Sequence, residues 1–136
     1  MNQYLLDTNV ISELRKMRPH GALTAWFSAM EESRLFVSAV TLGELQVGVE
    51  KTRRQDPLKA EEIERWVDQL AATYEVLPMD APCFRECARI MHNKRPGLLQ
   101  DAMIAATARI HRLIVATRNE RDFAQLDAPT FNPFKS

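Results

Sequence analysis

Five side chains in this sequence have the type and placement to do chemistry together: Asp7, Glu44, Asp101, Asn119 and Asp122. They come from distant parts of the chain, and four of them are acids. Carboxylates gathered without a counter-ion repel, and some must take up protons. A bound divalent cation removes that cost. Carboxylate oxygens are hard ligands that suit Mg²⁺ or Mn²⁺. No His/Cys cluster stands nearby in sequence, which disfavours zinc. A carboxylate-held metal with open positions suits phosphodiester hydrolysis. It lowers the pKa of a bound water and neutralises charge on the phosphate and the leaving group.

Each residue also has a plainer use. Asp7-Thr8-Asn9 can simply cap a helix that begins near Val10. Thr41-Leu42-Gly43-Glu44 fits a capping box. Asp101 favours the positive end of a helix dipole, and Asn119 and Asp122 are common turn residues. The order and placement of the set carry the argument, because no single member does.

The elements that must position them alternate between short apolar strands and helices. Tyr4-Leu5-Leu6 reads as a buried strand, followed by a helix from Val10 to about Lys16. Pro19 opens a helix carrying Leu23, Trp26, Phe27 and Met30. Leu35-Phe36-Val37 is a second strand. Thr41 starts a helix to about Arg54. Asp56-Pro57 caps a helix from Leu58 to Tyr74, and these two helices read as a hairpin projecting from the sheet. Val76-Leu77 is a weak strand, and Asp80 caps a helix through about His92. Asn93 to Gly97 breaks the chain before an alanine-rich helix from Leu98 to His111. Leu113 to Ala116 is the clearest strand. Thr117 to Asp122 reads as a loop, and Phe131 to Phe134 as a short last strand. This alternation argues for an α/β sandwich around a mostly parallel sheet. Asp7 and the pair Asn119 and Asp122 then follow the C-terminal ends of strands, where open parallel sheets bind ligands.

Composition narrows the classes. The 136 residues are 46% hydrophobic and 26% charged with only four glycines, which excludes a disordered chain. The length suits one domain. No apolar run approaches the roughly 20 residues of a membrane span, and the opening residues lack a secretory leader; a soluble cytoplasmic protein is expected. Cys83 and Cys87 share a helix face and read as reduced, partly buried thiols. Net charge is zero, but residues 85–121 hold eight basic and three acidic side chains. Such a segment attracts phosphate backbones, although from charge alone solvated helix faces are the favoured account. The three histidines read as surface or loop residues.

The motifs resemble those of a known family. Leu5-Leu6-Asp7-Thr8-Asn9-Val10-Ile11-Ser12-Glu13-Leu14 is similar to the opening motif of PIN-domain nucleases, and among them to VapC toxins of the FitB-like branch. Thr41 to Leu45, Asp101 to Ala108 and Ala116 to Phe123 resemble the second, third and fourth motifs. Phe131-Asn132-Pro133-Phe134 is similar to the usual ending. The resemblance covers nearly the whole chain in the right order.

The resemblance implies a PIN-like three-layer sandwich over residues 1–136. It implies a Mg²⁺- or Mn²⁺-dependent endoribonuclease, the toxin of a type II toxin–antitoxin pair. Asp7, Glu44, Asp101 and Asp122 take the catalytic positions, and Asp7, Asp101 and Glu44 the metal-binding ones. Asn9, Thr117 and Asn119 support them. Many relatives carry aspartate where this chain has Asn119, so the fourth role lies between Asn119 and Asp122, and one metal or two remains open. Arg118 and Arg121 flank that motif and suit an RNA phosphate. The implied partners are RNA, a second copy of the chain, and a VapB-like antitoxin whose helix enters a groove. Trp26, Phe27, Trp66, Val67 and Leu70 fit such a groove, although an aromatic stripe at helical spacing is more often core. Two other readings compete. A phospho-receiver domain shares the acidic Mg²⁺ pocket, but it wants adjacent acids after the first strand and a lysine after the last. A PIN fold that binds RNA or a partner without cutting would explain Asn119.

Overall fold

The computed structural model describes residues 1–135; Ser136, the last residue of the expected domain, lies outside them. The strands are β1 (Tyr4–Leu6), β2 (Leu35–Ser38), β3 (Glu75–Leu77), β4 (Ile114–Ala116) and β5 (Thr130–Phe131). They pair in the order β3-β2-β1-β4-β5, every pair parallel. The helices are α1 (Thr8–Leu14), α2 (Gly21–Ala29), α3 (Ala39–Arg53), α4 (Pro57–Thr73), α5 (Ala81–Met91), α6 (Leu99–His111) and α7 (Glu120–Ala124).

Alternation along the central strands builds two cores. Leu5 and Val115 face α5, α6 and α7, against Cys87, Ile90, Ala105, Leu113 and Phe123. Tyr4, Leu6, Leu35 and Val37 face the other way, onto Val10, Ile11, Leu23 and Phe134. Strands covered on both faces must be apolar throughout, as Tyr4-Leu5-Leu6 is. The result is the expected three-layer α/β sandwich, with the sheet wholly parallel. The α3–α4 hairpin has a small core of its own, Val49, Ala60 and Val67. The Arg53 guanidinium and Glu64, 2.7 Å apart, tie its two helices together.

The strand order fixes where the site must lie. From β1 the chain moves outward to β2 and β3, then returns to the other side of β1 as β4. The crevice beyond a pair of strands where the winding reverses is the place for a ligand in such sheets. Here that pair is β1 and β4. They end together, with the Asp7 N–H donating to the Ala116 carbonyl at 2.9 Å.

Several boundaries differ from the sequence reading, each for a local reason. The first helix begins at Thr8, because Asp7 itself caps it and accepts from the Thr8 N–H at 2.8 Å. The third begins at Ala39, capped by Ser38, whose Oγ accepts from the Val40 N–H at 3.0 Å. Thr41 is therefore inside the helix, and no capping box forms with Glu44. His20 holds the cap position of α2, so Pro19 precedes that helix and does not open it. A 3₁₀ turn over Pro96–Leu98 leads into α6. The segment read as a loop to Asp122 becomes helix α7 from Glu120. The last strand ends at Phe131, because Asn132 Oδ1 accepts from the Phe134 N–H at 2.9 Å and turns the chain. Cys83 and Cys87 are free thiols, as expected, and both are buried and not merely partly so. No helix among the described residues is long and apolar enough to cross a membrane.

Candidate active site

Asp7 stands at the end of β1, in the cap position of α1, and is only 5% exposed. Burial of a carboxylate demands hydrogen bonds, and Asp7 has three. Oδ1 accepts from the Thr8 N–H, while Oδ2 accepts from Thr117 Oγ1 at 2.7 Å and from Asn9 Nδ2 at 3.1 Å. Thr117 follows β4 directly, so the two central strands deliver both partners. Asn9 is a bracket: its Nδ2 also approaches Thr117 Oγ1 at 3.3 Å, and its Oδ1 accepts from the Arg118 N–H at 3.2 Å. Burial pushes the Asp7 carboxyl up from its ordinary value, against the opposing pull of Thr117 and Thr8.

Thr117 passes the network on. Its Oγ1 accepts from the Asn119 N–H at 2.9 Å. Asn119 Nδ2 then donates to Asp122 Oδ2 at 3.0 Å and to Asp101 Oδ2 at 3.3 Å. An amide thus bridges two acids with one nitrogen, which a carboxylate at this position cannot do. Asp101 lies in the first turn of α6, half-buried. Its carboxyl is pushed up to about 6, first by burial, then by the charges of Asp7, Asp122 and Glu44, with Arg95 opposing.

Glu44 reaches the same site from α3. Its Oε1 accepts from Thr8 Oγ1 at 3.1 Å, and Thr8 Oγ1 also lies 3.1 Å from Thr41 Oγ1. The Thr41-to-Glu44 spacing therefore serves a contact with α1 instead of a helix cap. Burial raises the Glu44 carboxyl, the Thr8 hydrogen bond opposes this, and the Asp7 charge adds to it.

The structure thus brings Asp7, Asn9, Glu44, Asp101, Thr117, Asn119 and Asp122 to one end of the sheet. Three of the four acids are held above their ordinary values, first by burial and, for Glu44 and Asp101, also by neighbouring carboxylates. Oxygen donors in that electrostatic state fit a hard divalent cation. Among the described residues no group of three Asp, Glu, His or Cys side chains stands close enough together to hold a metal ion. Magnesium does not need one, since it is held by one or two carboxylates and keeps several waters.

The flanking arginines differ from each other. The Arg118 guanidinium lies 3.8 Å over the Phe134 ring and 3.8 Å from Glu13 Oε1. The Arg118 backbone N–H on Asn9 places the residue beside the site, and its half-exposed guanidinium rests against the Phe134 ring. Arg121 is exposed on α7 and forms no ion pair among the described residues.

Three residues of the neighbourhood escape sequence reasoning. Thr8 was legible only as a turn residue. Glu13 is a nearly buried acid that receives Lys16 at 2.8 Å and the His20 N–H at 3.0 Å. Nothing in its spacing announces this. Arg95 reaches Asp122, its Nη2 3.5 Å from Oδ1. Its place beside the Pro-Gly break was the one available hint.

A largely apolar groove of about 300 Å³ opens elsewhere on the surface, and none of the clustered acids lines it. It is lined by Leu6, Ile11, Phe27, Trp66, Leu70 and Tyr74, among others. Phe27, Trp66 and Leu70 therefore serve the core on one side and this groove on the other. Trp26 turns away from it, edge-on to Tyr4 and beside Phe131. Val67 is buried in the hairpin core.

The profile of the family described as PIN domain matches residues 4–129 of this chain. Toxin FitB of Neisseria gonorrhoeae is 35% identical over 137 residues, 96% of this chain and 97% of that protein. VapC ribonuclease Y4jK of Sinorhizobium fredii is 35% identical over 142 residues, again 96% and 97%. The crystal structure of FitAcB from Neisseria gonorrhoeae superposes with a TM-score of 0.88 at 32% identity, covering 98% of this chain and all of that one.

Proposed function

The chain belongs to the PIN domain family, and we propose that it is the endoribonuclease toxin of a type II toxin–antitoxin pair. The observation that carries the reading is the convergence of Asp7, Glu44, Asp101 and Asp122 at the β1–β4 crevice, with three of the carboxyls pushed up. The similarity to a toxin and to a ribonuclease over nearly the full length supports it.

In this reading Asp7, Asp101 and Glu44 hold Mg²⁺ or Mn²⁺. The cation supplies an activated water and stabilises charge on the phosphate and the leaving group. The chain's own residues do the rest. Thr117 and Asn9 keep Asp7 oriented, and the hydrogen bonds from Thr117 and Thr8 oppose the upward push of burial on its carboxyl. Thr8 aims Glu44 so that its free oxygen can orient the attacking water. Asn119 sets the spacing of Asp101 and Asp122, and Asp122 takes the fourth acidic role. Arg118, held by Phe134 and Glu13, presents its guanidinium to an RNA phosphate, and Arg121 extends the basic rim.

Residues 1–136 form one domain that acts in the cytoplasm as a homodimer. A VapB-like antitoxin inhibits it by laying an apolar helix face into the groove between Phe27 and Leu70. The groove's aliphatic and aromatic lining supports this partner.

The test is to incubate antitoxin-free protein with total bacterial RNA in Mg²⁺, in Mn²⁺ or in EDTA, with Asp7→Asn alongside. Discrete cleavage that needs metal and vanishes in Asp7→Asn is expected. A folded, metal-binding protein that cuts nothing would favour the non-cutting RNA- or partner-binding module.

A further inference from the structure

Arg95 belongs to no motif of the sequence, yet it alone among the ion pairs of the described residues joins a cation to one of the four acids. Its backbone is well fixed. The Leu98 N–H donates to the Arg95 carbonyl at 3.1 Å, Pro96 follows it, and Leu98 anchors the turn in the core. Its side chain is not fixed, being 59% exposed.

The contact with Asp122 is a loose one. At 3.5 Å it exceeds the roughly 2.7–2.9 Å of a charge-assisted hydrogen bond. Ion pairs between exposed side chains contribute little. The guanidinium is therefore poised at the acids without being committed to them.

Gly97 bears on the same guanidinium. Its backbone is in an ordinary region, so conformation does not demand glycine there. A Cβ at this position would lie 2.8 Å from Arg95 Nη1. The missing side chain leaves the space that the guanidinium occupies.

An RNA phosphate entering this crevice meets a ring of carboxylates. A planar fork with two parallel N–H donors is the group that best offsets this for a phosphate. We propose that Arg95 is a substrate-contacting residue that leaves Asp122 and grips the phosphate at or next to the scissile bond. The proposal rests on the ribonuclease reading, and its test is built to fail separately from it.

Arg95→Ala, Arg95→Lys and Gly97→Ala are compared with the unaltered protein in two assays. The first follows cleavage of total bacterial RNA in Mg²⁺. Arg95→Ala should slow it about 10- to 100-fold, with Arg95→Lys partly restored and the thermal midpoint unchanged. Gly97→Ala, which keeps the charge but displaces it, should fall between. The second measures binding of a labelled single-stranded 20-nucleotide RNA of mixed sequence in Ca²⁺ at several salt concentrations. Arg95→Ala should lower the salt slope by about one. An unchanged slope would overturn the assignment whatever the cleavage rate. If the unaltered protein cuts no RNA, the catalytic reading fails, and the slope alone still decides whether Arg95 contacts phosphate.

Discussion

Asp7 and Thr117 lie 110 positions apart in sequence, yet Thr117 Oγ1 donates to Asp7 Oδ2 at 2.7 Å in the buried end of the sheet. The pairing of β1 with β4 makes this contact, since Leu6 stands opposite Ala116 and each functional residue follows its strand directly. The same hydroxyl oxygen accepts from the Asn119 N–H. One threonine thus links the acid on β1 to the amide that spaces Asp101 and Asp122.

Thr117→Val keeps the shape and removes the hydroxyl. The buried Asp7 carboxylate loses a donor and the Asn119 N–H an acceptor, which should cost about 1–3 kcal/mol of stability and at least tenfold in cleavage rate. Thr117→Ser should restore most of both. Urea denaturation and an RNA cleavage assay on the three proteins check this. Equal rates in the valine protein would remove Thr117 from the site.

The Asp101 carboxyl supplies a pH test. Its value in the folded chain is raised from 3.8 to about 6. A raised carboxylate favours the folded state below its unfolded value, and that advantage disappears as pH climbs through the folded one. In EDTA the unaltered protein should therefore lose stability relative to Asp101→Asn between about pH 4 and pH 7. Comparing urea midpoints of the two proteins at pH 4.5 and pH 7 measures the difference. Adding Mg²⁺ at pH 7 should narrow the gap, because a ligand of the native state stabilises it.

Asn119→Asp places a further carboxylate beside Asp101 and Asp122. It also removes the donor that bridges Asp101 and Asp122. The expected result is tighter Mn²⁺ binding by calorimetry together with a lower thermal midpoint in EDTA. A higher midpoint in EDTA would mean that the bridge does not relieve repulsion between the acids.

Arg118 and Phe134 act as a unit. Arg118→Ala should weaken RNA binding and flatten its salt dependence while leaving metal affinity intact. Phe134→Ala should do the same by removing the platform under the guanidinium. As a truncated buried aromatic it should also cost about 3 kcal/mol of stability. Phe134→Tyr should preserve both. RNA affinity over a salt series, with calorimetric metal titration, separates these outcomes.

The acids were legible because their positions follow from strand ends and a chain break, which apolar runs and Pro-Gly mark in the sequence. The three-layer sandwich was legible for the same reason, since the apolar strands alternate with helices. Contacts between elements were not. Thr41 and Glu44 fit a capping box by spacing, and only the approach of α1 to α3 shows that both serve Thr8. Ser38 competes with Thr41 as a cap, and the strand before it decides the winner. Helix α7 is five residues long, too short for periodicity to show. Glu13 reads as an ordinary polar helix residue, and its burial depends on Lys16, the His20 N–H and Arg118 meeting it from three directions.

The chemistry of the cut tests the carboxylate site most directly. Total bacterial RNA is incubated with the unaltered protein and with Asp101→Asn, in Mg²⁺ and in EDTA, and the product ends are mapped. Attack by water should leave linear phosphate ends, in Mg²⁺ alone and with the unaltered protein alone. Cleavage that survives EDTA or Asp101→Asn, or that leaves 2′,3′-cyclic phosphates, would contradict a metal-dependent hydrolytic site built from these carboxylates.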